Sequence, residues 1–173
     1  MTWKKPIRAA VHFSSHIEIP LTRGQVALID HEDVQLTAWN WMAEPGNSKR
    51  ECFYAVRSNT EGDKPKLLRM HNLILPKRPG FVVDHINRNG LDNRRSNLRY
   101  ATHGQNVANG VHHQRHYGSL KGAFKLPNDK RWTASITVNK KTYHLGRFDT
   151  EEQAHDAYME AARRFHGEFA RGS

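Results

Sequence analysis

Apolar and polar residues alternate in short runs through the first half of the chain, the period expected of strands with one buried face. Ile17-Glu18-Ile19 alternates in steps of two and stops at Pro20. Residues 25–29, 52–56 and 67–75 are further apolar-rich runs, separated by turn signals at Pro45-Gly46-Asn47 and at 59–63. A fifth run, 81–85, follows Pro79-Gly80 and ends in Val83-Asp84-His85. After a polar stretch at 107–119 the pattern becomes regular again. A strand near 121–125 leads through a turn at Pro127-Asn128-Asp129 into 131–138. There Trp132, Ala134, Ile136 and Val138 share one face, and Arg131, Thr133, Ser135 and Thr137 share the other. Asn139-Lys140 makes a tight turn into 142–148. Thr150 and Gln153 then form a capping box, and Ala154, Tyr158, Ala161 and Phe165 follow at helical spacing before Gly167. The pattern predicts an α+β chain whose C-terminal part is a three-stranded antiparallel sheet packed on one helix.

Composition narrows the function classes. The chain has 173 residues, 37% of them hydrophobic, enough for a lean core. Its single cysteine, Cys52, excludes an internal disulfide framework and a Cys-rich zinc ribbon. No apolar run approaches the roughly 18 residues of a membrane span. A soluble, membrane-free protein with a cytosolic start is expected.

Charge distribution says more than its sum of +10. Residues 1–63 carry 7 basic and 8 acidic side chains, and residues 148–173 carry 3 and 6. Between them, residues 64–147 hold 17 basic side chains against only Asp84, Asp92 and Asp129. A block at +14 repels itself unless a polyanion lies against it, and phosphates, whose counterions are released on contact, are the natural partner.

The densest polar stretch lies inside that block, from Val83 to Thr102. Asn89-Gly90 signals a tight turn, 98–101 a second strand, and Thr102 with Gln105 a capping box that places Asn106 in the first turn of a short helix. Asp84 offers a hard carboxylate oxygen suited to a divalent cation, and neutral His85 can take a proton from water. Adjacent strand residues point to opposite faces, so the two flank a phosphate more readily than they share one ion. On these residues alone, Asp84 and Asn106 serve equally well as turn and capping residues, and His85 as a surface histidine.

The run Val83-Asp84-His85-Ile86-Asn87, Leu91-Asp92-Asn93-Arg94, Ser96-Asn97-Leu98-Arg99, Thr102 and Gln105-Asn106 resembles the HNH endonuclease family. Met70-His71 with Leu73-Ile74-Leu75 resembles the strand that precedes this motif in phage HNH homing endonucleases. The resemblance implies a ββα-metal unit that cuts double-stranded DNA with one divalent metal, Mg²⁺ first and Mn²⁺ as the alternative, and without structural zinc. It implies Asp84 and Asn106 as metal ligands, His85 as general base and Asn97 as the residue bracing the loop. His71 is a supporting residue whose role is open between packing and phosphate contact.

The C-terminal part resembles the plant ethylene-response-factor (APETALA-type) DNA-binding domain through Lys121-Gly122-Ala123, 132–136, 144–152, Ala154, Ala157-Tyr158, Ala161-Ala162 and Gly167. Such domains lay their sheet in the DNA major groove. Phe124, His144, Ser135 and Thr137 replace contacting residues of plant members, so the plant target sequence does not carry over. Lys125, Lys130, Arg131, Lys140 and Arg147 are expected to anchor phosphates, with Thr133, Ser135 and Thr137 facing base edges.

The expected organisation is a strand-rich region at 1–66, the HNH unit at 67–110, a linker at 111–119 and the DNA-binding domain at 120–173. The expected function is a homing-type endonuclease that nicks DNA as a monomer in the cytoplasm of a bacterial host. The alternative is a DNA-binding regulator whose HNH fold does not cut.

Overall fold

The computed structural model describes residues 6–46, 52–59, 66–110 and 119–172. The chain divides into two compact units, Met1–Tyr100 and Ala101–Ser173. The expected linker at 111–119 lies almost wholly outside the described residues.

The first unit holds two three-stranded antiparallel sheets. One joins β1 (Val11–His12), β2 (Ile17–Pro20) and β3 (Val26–Ile29) in that order. The other joins β4 (Met42–Pro45), β5 (Phe53–Asn59) and β6 (Lys66–Arg69). Alternation does what the sequence pattern requires. Ile17 and Ile19 are buried while Glu18 is not, and Ala27 and Ile29 face the same core from the opposite strand. Trp41 is fully buried among them, and its Nε1 donates to Leu36 O at 2.8 Å, so the indole buries a large area without stranding its one donor. Leu91 and Leu98 complete this core, so the polar motif rests on the N-terminal strands. The backbone of β3 docks on it directly: Leu28 N donates to Leu91 O at 2.9 Å, and Asn93 N donates to Leu28 O at 2.8 Å.

The run at 67–75, read from its pattern as one strand, is a strand followed by a helix. Strand pairing ends at Arg69 opposite Val56, and α1 (Met70–Ile74) begins at the next residue. Met70, His71 and Ile74 are buried while Leu73 is exposed, which is helical spacing rather than alternation. β7 (Val82–His85) then pairs with β8 (Leu98–Ala101).

The loop between them turns at Asn89-Gly90 as expected, Asp92 N donating to Asn89 O at 3.1 Å. A turn before it, closed by Arg88 N on His85 O at 2.9 Å, holds the left-handed residue, Arg88 at φ 66°. Gly90 is needed for another reason: a Cβ there would stand 2.5 Å from Phe53 O and 2.6 Å from the Tyr54 ring.

The second unit begins with α2 (His103–Asn109), whose capping box of Thr102 and Gln105 forms as expected. β9 (Ala123–Lys125), β10 (Trp132–Val138) and β11 (Lys141–Phe148) form one antiparallel sheet with β10 in the middle, and α3 (Glu151–His166) packs on it. Asn139 and Lys140 both have positive φ, as a two-residue hairpin turn requires. α3 starts with the Thr150–Gln153 capping box and acidic Glu151 and Glu152, and ends with Arg163, Arg164 and His166, the order the helix dipole favours. Ala154, Tyr158 and Ala161 are buried as their spacing predicts, but Phe165 is 46% exposed. It stacks on Tyr143, ring centroids 5.3 Å apart, beyond the edge of the sheet core. Lys121 explains why α2 belongs with this unit: its Nζ donates to Ala108 O at 2.6 Å and Gly110 O at 2.9 Å, satisfying carbonyls at the end of α2.

Candidate active site

Asp84 and His85 are the last residues of β7, and both are buried, at 4% and 5% exposure. A carboxylate so placed must be compensated, and Arg99 on the paired strand does so, its Nε donating to Asp84 Oδ2 at 2.9 Å. His85 lies on the other side of the strand. Its Nε2 is 3.4 Å from Asn93 Oδ1, and the Asn93 amide nitrogen is engaged by Leu91 O at 3.0 Å. The oxygen of Asn93 therefore faces the ring, which puts the proton on Nε2 and the lone pair on Nδ1. Burial lowers the His85 pKa below its ordinary value, against the opposing pull of Asn93, Asp84 and Asp92. The imidazole is neutral at neutral pH, the form that can accept a proton.

Two rings pack on His85, one expected from the sequence and one not. His71 on α1 stands edge-on to it, ring centroids 5.1 Å apart, and Tyr54 on β5, which the sequence reading missed, contacts both rings at 5.6 and 5.9 Å. His71 is buried, and its Nδ1 has no hydrogen-bond partner among the described residues. Burial, the neighbouring His85 and the Arg69 charge push its pKa down to about 3. Tyr54 carries no signal in its local pattern; only pairing of β5 with β4 and β6 brings it here.

Asn97 ties the loop together. Its side chain accepts from Asn87 N at 2.9 Å and donates to Asn87 Oδ1 at 2.9 Å and Asp92 O at 2.8 Å. Its backbone carbonyl accepts from Ile86 N, the residue after His85. Asp92 is clamped by Arg94 through two bonds of 2.8 Å and by Asn87 at 2.9 Å. Burial works to raise the Asp92 pKa, but the Arg94 and Asn87 bonds outweigh it and the net direction is down. Arg95, next in line, forks onto Asp33 at 2.8 and 3.0 Å, fastening the loop to the N-terminal region. Asn106 is half-buried on α2, in the second unit.

In the C-terminal sheet Lys130, Arg131, Thr137 and Lys140 are exposed, and Lys125 and Ser135 are half-buried. Lys125 lies over the Trp132 ring at 5.6 Å, and exposed Arg147 reaches Asp129 at 3.5 Å. Thr133 is the exception among the residues expected to face a groove. It is 3% exposed because it sits at the centre of the sheet between Phe124 and Arg147 on the flanking strands.

Residues 70–108 match the HNH endonuclease family model. The matching segment spans α1, β7, β8 and nearly all of α2, and so includes His71, Asp84, His85, Asn97 and Asn106. A protein of Acanthamoeba polyphaga mimivirus, described as an uncharacterized HNH endonuclease, is 39% identical over 90 residues. That alignment covers 52% of this chain and 46% of the viral protein, so the chain spans about half the length of the curated relative it matches. No solved structure matches. Among the described residues, no helix is long and apolar enough to cross a membrane.

Asp84 supplies a hard anionic oxygen of the kind a divalent cation takes. Among the described residues, His71 and His85 do not converge with it as a three-ligand group; Asp30, Glu32 and Asp33 are the ones that do. The Arg99 bond to Asp84 Oδ2 sets the condition that a cation must share that carboxylate.

Proposed function

We propose that the protein is a metal-dependent HNH DNA endonuclease that nicks double-stranded DNA. The observation that carries this reading is the neutral, buried imidazole of His85, oriented by Asn93 beside Asp84, inside the stretch that matches the family. His85 takes the proton of the attacking water. Asn97 holds the loop that fixes the His85 backbone. Asp84 and Asn106 would hold one divalent metal, Mg²⁺ or Mn²⁺, which when bound stabilises charge on the phosphoryl and leaving oxygens. Cleavage in this scheme leaves a 5′-phosphate and a 3′-hydroxyl.

The basic sheet of the second unit is the targeting module in this reading. Lys125, Lys130, Arg131, Lys140 and Arg147 serve as phosphate anchors, with Ser135 and Thr137 towards the bases; Thr133 is too buried to reach them. The resemblance to the ethylene-response-factor domain supports this role, and the homing character, monomeric action and bacterial cytoplasm belong to the same proposal.

One observation favours a second reading. The Arg99 guanidinium already engages the carboxylate that would hold metal, as a DNA-binding protein without cleavage would tolerate. A supercoiled-plasmid assay separates the two. Relaxation in Mg²⁺ that stops with EDTA supports the nuclease; DNA binding with no relaxation in Mg²⁺ or Mn²⁺ leaves the regulator.

A further inference from the structure

A cleft of about 310 Å³ opens at the start of β7, away from the residues assigned above. Arg69, Lys77 and Arg78 line it, together with Asn72, Phe81 and Tyr100, and among the described residues no acidic side chain does. Arg69 has a long contact to Glu44 at 3.9 Å, whereas Lys77 and Arg78 have no acidic partner among the described residues. With Lys77 and Arg78 lacking an acidic partner among the described residues, the cleft favours an anionic ligand.

Its aromatic lining narrows the class. Phe81 and Tyr100 meet edge to face at 6.2 Å, and the Arg78 guanidinium lies over both rings, at 4.8 and 5.9 Å. Tyr100 is anchored by its hydroxyl, which donates to Pro76 O at 2.7 Å. Phe81 is 37% exposed, so part of its ring is open to a ligand in the cleft. Asn72 has no hydrogen-bond partner among the described residues and can present both a donor and an acceptor. Planar stacking surfaces flanked by free cations are the means by which single strands are held, each base stacking on a ring and each phosphate meeting a Lys or Arg. The volume is at the lower end for small-ligand pockets, which suits one nucleotide and not a base pair.

We propose that this cleft binds one unpaired nucleotide of a DNA strand, its base against Phe81 and Arg78 and its phosphate on Lys77 and Arg69. Val82 and Val83 line the cleft, and Asp84 and His85 follow them on the same strand. A strand lodged there runs on towards His85, which sits about 7 Å further at the usual rise of a strand. The cleft would thus hold DNA that is locally opened beside the cleaved phosphate. The assignment to DNA rests on the nuclease reading; the nucleotide chemistry of the cleft does not.

Fluorescence anisotropy on the full chain in EDTA tests it, with an oligothymidylate of about 12 nucleotides and an abasic strand of equal length and charge. Wild type should bind the base-bearing strand about tenfold more tightly than the abasic one. Phe81→Leu should abolish that preference, and Arg78→Gln, at an exposed position, should reduce it should the first variant fold poorly. Lys77→Gln should lower the salt slope by about 0.7, the loss of one phosphate contact. Equal binding of the two strands by wild type overturns the proposal, as does an undiminished preference in both Phe81→Leu and Arg78→Gln. A wild type that nicks plasmid but does not distinguish the strands refutes the cleft and leaves the nuclease standing. A base preference lost on substitution, in a protein that never nicks, supports the cleft and refutes the nuclease.

Discussion

Arg99 and Asp84 form an ion pair across β7 and β8 with both side chains almost withdrawn from water, Nε to Oδ2 at 2.9 Å. Removing one partner of such a pair costs more than the pair itself contributes, because the other charge is left desolvated. Arg99→Gln should lower unfolding stability by about 2–3 kcal/mol in a urea titration. A loss below about 0.5 kcal/mol would show that Asp84 does not depend on Arg99.

His85→Ala should reduce nicking by at least about 10²-fold while DNA affinity in EDTA stays within about twofold. Because burial lowers the His85 pKa, the group remains a competent base below its ordinary titration range. The nicking rate should therefore hold level from about pH 8 down through pH 6.5, falling only in more acid solution. A rate that halves near pH 6.5 would contradict the environment described for this ring.

His71 ties stability to acidity. Its pKa is about 3 in the folded protein against 6.5 in an open chain. Between those values the unfolded state binds the additional proton, so stability is fully present above about pH 6.5 and declines as pH falls towards 3. The decline is at most about 1.4 kcal/mol per pH unit. His71→Gln removes the titration, and thermal melting of that variant between pH 7 and pH 5 should change less than that of wild type.

Gly90→Ala should cost about 1–3 kcal/mol, since the new methyl collides with Phe53 O, a backbone atom that cannot rotate away. Calorimetry measures the loss. The same change displaces Tyr54, which contacts His71 and His85, so nicking should fall further than stability alone explains.

Thr133 Oγ1 is buried with no hydrogen-bond partner among the described residues. Thr133→Val keeps the shape and removes the desolvated hydroxyl. It should leave the melting temperature unchanged or raise it, by up to about 1 kcal/mol of stability, with DNA affinity unaltered. A clear loss of DNA affinity would restore this residue to the binding face.

Local pattern was enough where the determining interaction is local. The capping boxes Thr102–Gln105 and Thr150–Gln153, the Asn139-Lys140 hairpin and the helical face of Ala154, Tyr158 and Ala161 all depend on residues within a few positions of one another. The polar run from Asp84 to Asn97 was legible for the same reason: its side chains bond chiefly within that run, to its backbone and to one another.

Tertiary structure decided the rest. The switch from strand to helix at Met70 depends on where β5 stops pairing, and the burial of Thr133 on strands contributed from either side. Tyr54 and His71 reach His85 only because β5 and α1 fold against the loop, and Gly90 is small because that approach leaves no room. The motif carried a resemblance that proposes His85 as base and Asp84 as ligand. Burial, which no stretch of chain specifies alone, decided that His85 is neutral and that Asp84 is held by Arg99.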